Sequence, residues 1–151
     1  LALVEIKQLK TMLGNRQRIL GMDPGTKTIG LALSDLTHTI ATPLETVKRT
    51  KFKKDAVRLK EIIEKEDVGA LVIGWPVNMD GSEGPRCQSV RAFSNNLAEL
   101  FDVPQVLWDE RMSTSAVERT LIEADSSRAR RKEVVDKMAA AYILQGALHA
   151  L

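Results

Sequence analysis

The chain has one cysteine, Cys87, in 151 residues. No internal disulfide can form, which fits a reducing compartment, and the expected location is the cytoplasm. Its two histidines, His38 and His149, are neither at zinc-ligand spacing nor beside an evident nucleophile, so zinc and serine–histidine chemistries are set aside. Aromatic residues make up 4%. Base-stacking platforms are therefore not expected, and any nucleic acid would be recognised through backbone and shape. No apolar run is long enough to span a bilayer, and the N-terminus lacks the basic-then-apolar pattern of a secretory signal, so no membrane partner is expected. The chain opens on Leu1 rather than methionine, which fits a trimmed or incomplete start. Both common nucleotide-loop signatures are missing as well. Gly21 and Gly25 stand one residue too close for a Walker loop, Lys27 comes one residue too late, and no G-x-G-x-x-G follows a strand.

What remains is an ordinary globular composition, 44% hydrophobic and 28% charged with a net charge of +2, consistent with one domain able to bury a real core. Residues 17–151 read as that domain, after an extension over 1–16 in which 3–13 suits a short helix. The mostly apolar run RILGMD (18–23) predicts a strand covered on both faces. Ile29, Leu31 and Leu33 alternate with small residues and predict a second strand, joined to the first as a hairpin. Residues 38–49 supply a third, which Pro43 confines to an edge or a bulge. Phe52, Ala56, Leu59, Ile62 and Ile63 then form a helical stripe, and 69–74 a buried strand. Pro85 opens a helix with Val90, Phe93, Leu97 and Leu100 on one face, and 103–108 is another strand. Ser115 and Glu118 have capping-box spacing ahead of a helix with Val117, Leu121 and Ala124 inward. A last helix runs from about Arg130 to Leu148. The order βββ-α-β-α-β-α-α predicts a mixed sheet with helices on its faces.

Candidate chemistry sits at strand ends, where open α/β sheets gather their sites. Asp23 closes the first apolar run and is followed at once by Pro24 and Gly25. Alone it reads better as a turn residue, and the turn is similar to the Asp-x-Gly-Thr hairpin of actin-like ATPases and sugar kinases, which clasp nucleotide between two domains. Asp109 and Glu110 end the last strand. Asp136 shares a helix face with Ala139, Ala140, Ile143 and Ala147, in what reads as the first turns of its helix, where the dipole favours anions. A carboxylate on an apolar stripe is costly unless paired or bound to a cation. A salt bridge to Lys27 or an arginine is the plainer alternative for Asp136, and one to Arg111 for Asp109 or Glu110. Asp35 reads as a turn residue. The loop NMDGSEGPR (78–86) lacks the first ligand of an EF-hand, so Asp80 and Glu83 read as turn and cap residues. Arg86, Arg91 and Arg111 are placed to contact a nucleic-acid backbone, and Cys87 reads as an inert, half-buried thiol. Residues 48–60 carry seven basic side chains against one acid, and 126–137 five against two. The first cluster reads as a solvated helix face. The second, with Arg128, Arg130, Arg131 and Lys132, reads equally as phosphate contact or solvated surface.

Four blocks, MDPGTKTIGLALSD, VIGWPVNMDGSEGPRCQSVRAF, WDERMSTSAVERTL and RKEVVDKMAAAYIL, occur in the order and spacing of the YqgF/RuvX family. The resemblance runs from about Arg18 to Leu148. It implies a ribonuclease H-like fold with sheet order 3-2-1-4-5, and activity as a Holliday junction resolvase or pre-16S rRNA nuclease. Carried over position by position, it implies catalytic and metal-binding roles for Asp23, Glu110 and Asp136, with Asp109 a weaker ligand candidate. Lys27 would be the cation of the hairpin, because Thr28 stands where the family commonly has arginine. Trp75 and Met112 also depart from its usual leucines. The implied chemistry is phosphodiester hydrolysis with two Mg²⁺ or Mn²⁺ ions roughly 4 Å apart. In that fold Glu110 starts about 10 Å from Asp23, two strand spacings away, so its side chain must cross the gap or Asp109 or a water must help.

Two function classes stay open at this stage: a metal-dependent nuclease acting on rRNA precursor or branched DNA, and a nucleic-acid- or ribosome-associated binding module that keeps the fold without turnover. Cutting both strands of a junction would require two sites and hence a homodimer, which nothing in the sequence specifies.

Overall fold

A computed structural model describes residues 3–112 and 128–151. Continuous apolar runs in β1 and β4 and half-apolar segments elsewhere build five strands: β1 (Arg18–Pro24), β2 (Thr28–Ser34), β3 (Ala41–Lys48), β4 (Val68–Trp75) and β5 (Gln105–Asp109). The described helices are α1 (Ile6–Met12), α2 (Phe52–Lys65), α3 (Pro85–Leu100) and α4 (Arg128–His149), with a 3-10 turn over Glu110–Met112 after β5. The sheet order is β3-β2-β1-β4-β5, as the family resemblance implies. β1 runs antiparallel to β2 and parallel to β4, and β4 parallel to β5.

Strand alternation divides the core into two layers. Leu20, Met22, Leu31, Leu71 and Ile73 meet Leu59 and Ile62 of α2 and Val90, Phe93 and Leu97 of α3. On the opposite side Ile19, Ala32, Ala70, Val72 and Val106 meet Leu9 of α1 and Ala140, Ile143 and Leu144 of α4. Each fully buried leucine or isoleucine contributes about 1.5–3 kcal/mol of burial. The alanine-rich face of α4 lets its backbone approach the sheet closely. A methyl group at Gly21 would stand 2.8 Å from Leu144 Cβ and 3.1 Å from the Ala140 carbonyl.

Pro43 lies on edge strand β3, where the pairing steps from Leu31–Glu45 to Ala32–Pro43 and leaves Leu44 as the extra residue of a bulge. Both options open to a strand proline are thus used at once. Asp35 ends β2 in a turn, accepting hydrogen bonds from the Thr37 hydroxyl and the Thr39 and Ile40 amides. Those bonds, led by Thr37, hold its carboxyl down at about 2.

Three details differ from the sequence reading. Cys87 is fully buried rather than half-buried, because it follows Pro85 onto the inner side of α3. Leu100 is 55% exposed at the end of α3, where the helix runs past the sheet. Described α4 starts at Arg128, so Asp136 stands about two turns inside it, too far for the dipole to assist an anion there. The expected helix around Ser115–Ala124 lies outside the described residues. No helix among the described residues is long and apolar enough to cross a membrane.

Candidate active site

Asp23 occupies the carboxyl end of β1, the central strand, and is half-buried. By alternation its side chain shares the α4 side of the sheet with Ile19. Its flanking positions on the neighbouring strands are both glycine. Gly30 of β2 is its antiparallel partner. The register that pairs Met22 with Ile73 brings Gly74 of β4 level with it on the other side.

These two glycines let the other acids approach. A methyl group at Gly74 would stand 2.7 Å from Glu110 Oε1 and 2.8 Å from Ile143 Cδ1. The Glu110 carboxylate therefore lies over bare β4 backbone, one strand nearer Asp23 than its own Cα. About one strand spacing, roughly 4.8 Å, then separates it laterally from β1. Asp109 points to the opposite side. It is held by Arg111 through Nη2 (2.7 Å) and Nε (3.1 Å), and it accepts the Arg111 amide at 2.9 Å. The Arg111 guanidinium is the main cause that pulls the Asp109 carboxyl below the usual carboxylate range.

Asp136 comes from α4, whose backbone rests directly on Gly30: an added methyl group there would overlap the Asp136 carbonyl at 1.9 Å. Its carboxylate accepts the Thr28 hydroxyl at 2.6 Å. The neutral hydroxyl, rather than Lys27, is the partner Asp136 meets in the hairpin. The three acids thus come to the same rim of the sheet from β1, the turn after β5, and α4. They do not form a closed ligand set as they stand: among the described residues no three acidic, histidine or cysteine side chains lie close enough to hold one ion. The donors are all carboxylate oxygens, a set that suits hard divalent cations.

The cations divide into anchored and outward-facing ones. Arg111 also donates to the Met79 carbonyl at 3.1 Å, tying the 78–84 loop to the end of β5. Within that loop Asp80 accepts the Ser82 amide and hydroxyl, as a turn residue. Glu83 is not a cap: Gly84 occupies that position, and Glu83 pairs instead with Arg91 at 3.2 Å. Arg91 lies over the Trp75 ring at 5.0 Å. Arg86 donates to the Pro24 carbonyl at 3.1 Å, beside Asp23, and Lys27 is exposed at the hairpin tip. Arg128, Arg130, Arg131 and Lys132 lie in the first turns of described α4, but their side chains are outside the described set.

A family model described as "RuvX: Holliday junction resolvase" matches residues 17–150. The chain belongs to the RuvX family. The matched span contains all three acids and both flanking glycines. A protein of Paramagnetospirillum magneticum, named as a candidate pre-16S rRNA nuclease, is 65% identical over 141 residues, covering 93% of this chain and 91% of the relative. One of Methylocella silvestris with the same name is 62% identical over 149 residues, covering 99% and 92%. Among solved structures, Thermus thermophilus RuvC in complex with a Holliday junction substrate aligns with TM-score 0.51 at 14% identity, over 89% of this chain and 94% of that one. The yeast mitochondrial Holliday junction resolvase Ydc2 aligns with TM-score 0.50 at 14% identity, over 95% and 82%. These two likenesses concern the fold, which is ribonuclease H-like.

Sequence reasoning missed Gly30, Gly74 and Thr28 as parts of the site. The available signal was a glycine inside each strand that flanks β1, where close approach of another group is the usual reason for one.

Proposed function

We propose that this RuvX-family chain is a divalent-cation-dependent nuclease that hydrolyses phosphodiester bonds in structured nucleic acid. The observation that carries the proposal is the pair of glycines beside Asp23, one admitting the Glu110 carboxylate and the other the backbone of Asp136. Asp23, Glu110 and Asp136 would hold Mg²⁺ or Mn²⁺. Such ions supply an activated water and charge stabilisation at the scissile phosphate. Asp23 offers its carboxylate from a strand end embedded between two others. Thr28 orients Asp136 through their hydrogen bond. Asp109 takes no ligand role in this proposal; its bonds to Arg111 fix the loop that borders the site.

The names of the relatives make rRNA precursor the first substrate to test and four-way DNA junctions the second. An rRNA precursor would meet the protein in the cytoplasm, and a junction would call for a homodimer with two sites. One observation favours the second reading, a binding module: Asp136 is engaged by Thr28, and the described acids do not close into a ligand set.

Cleavage of both substrates by purified protein, with Mn²⁺, with Mg²⁺ and after chelation, tests the proposal. Cutting that stops on chelation and returns with either ion is expected. Tight binding with no cutting under any condition would favour the module. Gly74→Ala tests the geometry. The added methyl meets only the ends of two flexible side chains, so stability should fall by less than about 1.5 kcal/mol. Displacing the Glu110 carboxylate by an ångström should lower cleavage roughly a hundredfold. Unchanged turnover in this variant would remove Glu110 from the site.

A further inference from the structure

We propose that the cleft between the β1–β2 turn and the start of α3 is a phosphate subsite, in which Arg49 and Arg86 grip a non-scissile phosphodiester of the substrate strand. The cleft measures about 410 Å³ and is lined by Gly25, Thr26, Arg49, Thr50, Arg86 and Ser89 among others, with no acidic side chain. Arg49 donates through Nη1 to the Gly25 carbonyl at 2.6 Å, and Arg86 through Nη2 to the Pro24 carbonyl at 3.1 Å. The Arg49 guanidinium also lies over the Phe93 ring, 5.1 Å from its centre.

Each arginine is thus oriented by one or two fixed contacts, while a guanidinium carries five N–H donors. Carbonyl oxygens orient a cation without neutralising it. Arg18, Arg58, Arg91 and Arg111 each pair with a carboxylate. Among the described residues Arg49 and Arg86 pair with none. Two like charges directed at one turn repel unless an anion lies between them. The planar fork of arginine matches phosphate oxygens, and the hydroxyls of Thr26 and Ser89 add donors that phosphate accepts, while the Thr50 hydroxyl is already donated to Asp55. The cleft opens on the α3 side of the sheet rim, whereas Asp23 faces α4 from the residue just before Pro24. A strand crossing that rim can lay one phosphate against the acids and a neighbouring one against the arginines. Arg49 is therefore not part of the solvated helix face that residues 48–60 suggest, since it precedes α2 and turns inward.

The inference deepens the nuclease reading, but its test does not require cleavage. Binding of a labelled single-stranded oligonucleotide would be measured across a salt series for wild type, Arg49→Gln, Arg86→Gln and Arg49→Lys, beside inorganic phosphate titrated alone. Each glutamine variant should bind the oligonucleotide roughly tenfold more weakly and flatten the dependence of log K on log salt by about 0.7. Mn²⁺ affinity should stay unchanged in all of them. Arg49→Lys should keep the salt slope yet lose part of the affinity, because lysine lacks the fork. Exposed Arg86 can be replaced without threatening the fold, so its variant decides the matter if Arg49→Gln melts early. Salt slopes equal to wild type in Arg86→Gln would overturn the proposal. Weakened phosphate binding in the variants with unchanged oligonucleotide slopes would assign the cleft to a free anion and overturn the strand subsite. A protein that never cuts but shows the expected slopes would lose the nuclease reading and keep this one.

Discussion

Asp23→Asn abolishes Mn²⁺-dependent cleavage while leaving the protein folded; this is the first expected result. Asparagine matches aspartate in shape, and the position is half-buried at a strand end, so melting should remain close to that of wild type. The lost charge matters more. Asp23 lies between the two strands that carry Gly30 and Gly74, and is the only one of the three acids flanked by the approaches of both others. If it bridges the cations, its loss removes several kcal/mol of transition-state stabilisation, a fall of roughly a thousandfold or more in rate. Calorimetric Mn²⁺ titration and single-turnover cleavage would both read the effect. Wild-type Mn²⁺ affinity and turnover in this variant would end the metal-site proposal.

Gly30→Ala should give the largest loss of stability among single-methyl changes at the site. The new Cβ would lie 1.9 Å from the Asp136 carbonyl oxygen and 2.4 Å from its carbon. Both are backbone atoms in the middle of a helix, so no rotamer change relieves the overlap. Either α4 lifts from β2 or the strand bends away, and in both cases the layer built on Ala140, Ile143 and Leu144 loosens. Overpacking of this kind costs about 3 kcal/mol, which lowers Tm by roughly 6–12 °C in a chain of this size. Cleavage should fall as well, because Asp136 moves with the helix. Gly84→Ala serves as the comparison, since its methyl would meet only Asn78 at an ordinary 3.6 Å and the change costs no more than about 1 kcal/mol as a poorer N-cap of α3. Thermal melts of the two variants side by side would check the prediction; a Gly30→Ala protein as stable as Gly84→Ala would contradict it.

Much of the architecture was legible from apolar patterning. Ile29 and Leu31 alternate with the period of a strand, the short apolar run through β4 fits a strand covered on both faces, and Pro43 points to an edge or a bulge. Asp23 was visible because a charge ends an apolar run just ahead of a turn. The rest of the site depends on facts that neighbouring letters do not carry. Asp109 and Glu110 are adjacent and chemically alike, so composition could not separate them. Strand parity does: counting from buried Val106 through Trp108 puts Glu110 on the α4 side and Asp109 on the other. Gly30 was read as a small residue of an alternating strand and Gly74 as the end of a buried one, because nothing local reveals that a helix backbone and a remote carboxylate lie above them. Arg49 was absorbed into a basic run whose other members do face solvent, and what separates it from them is its inward turn onto the Gly25 carbonyl and the Phe93 ring. For Asp136 the plainer alternative to a bound cation was a lysine or arginine partner, and the donor it meets is instead a hydroxyl that the sequence brings from 108 positions away.

The bulged, proline-bearing outer strand bears on how this molecule can assemble. Ladder extension needs a flat row of free amides and carbonyls, and Pro43 with the unpaired Leu44 interrupts that row on β3. At the opposite border the start of β5 is already occupied, with Leu3 bridging Gln105 and the Val4 amide bonded to the Gln105 carbonyl. Self-association by continuous strand addition is therefore obstructed at both margins. A dimer built from helices and loops would let quaternary structure change through outward-facing side chains while the strands that align the acids stay untouched.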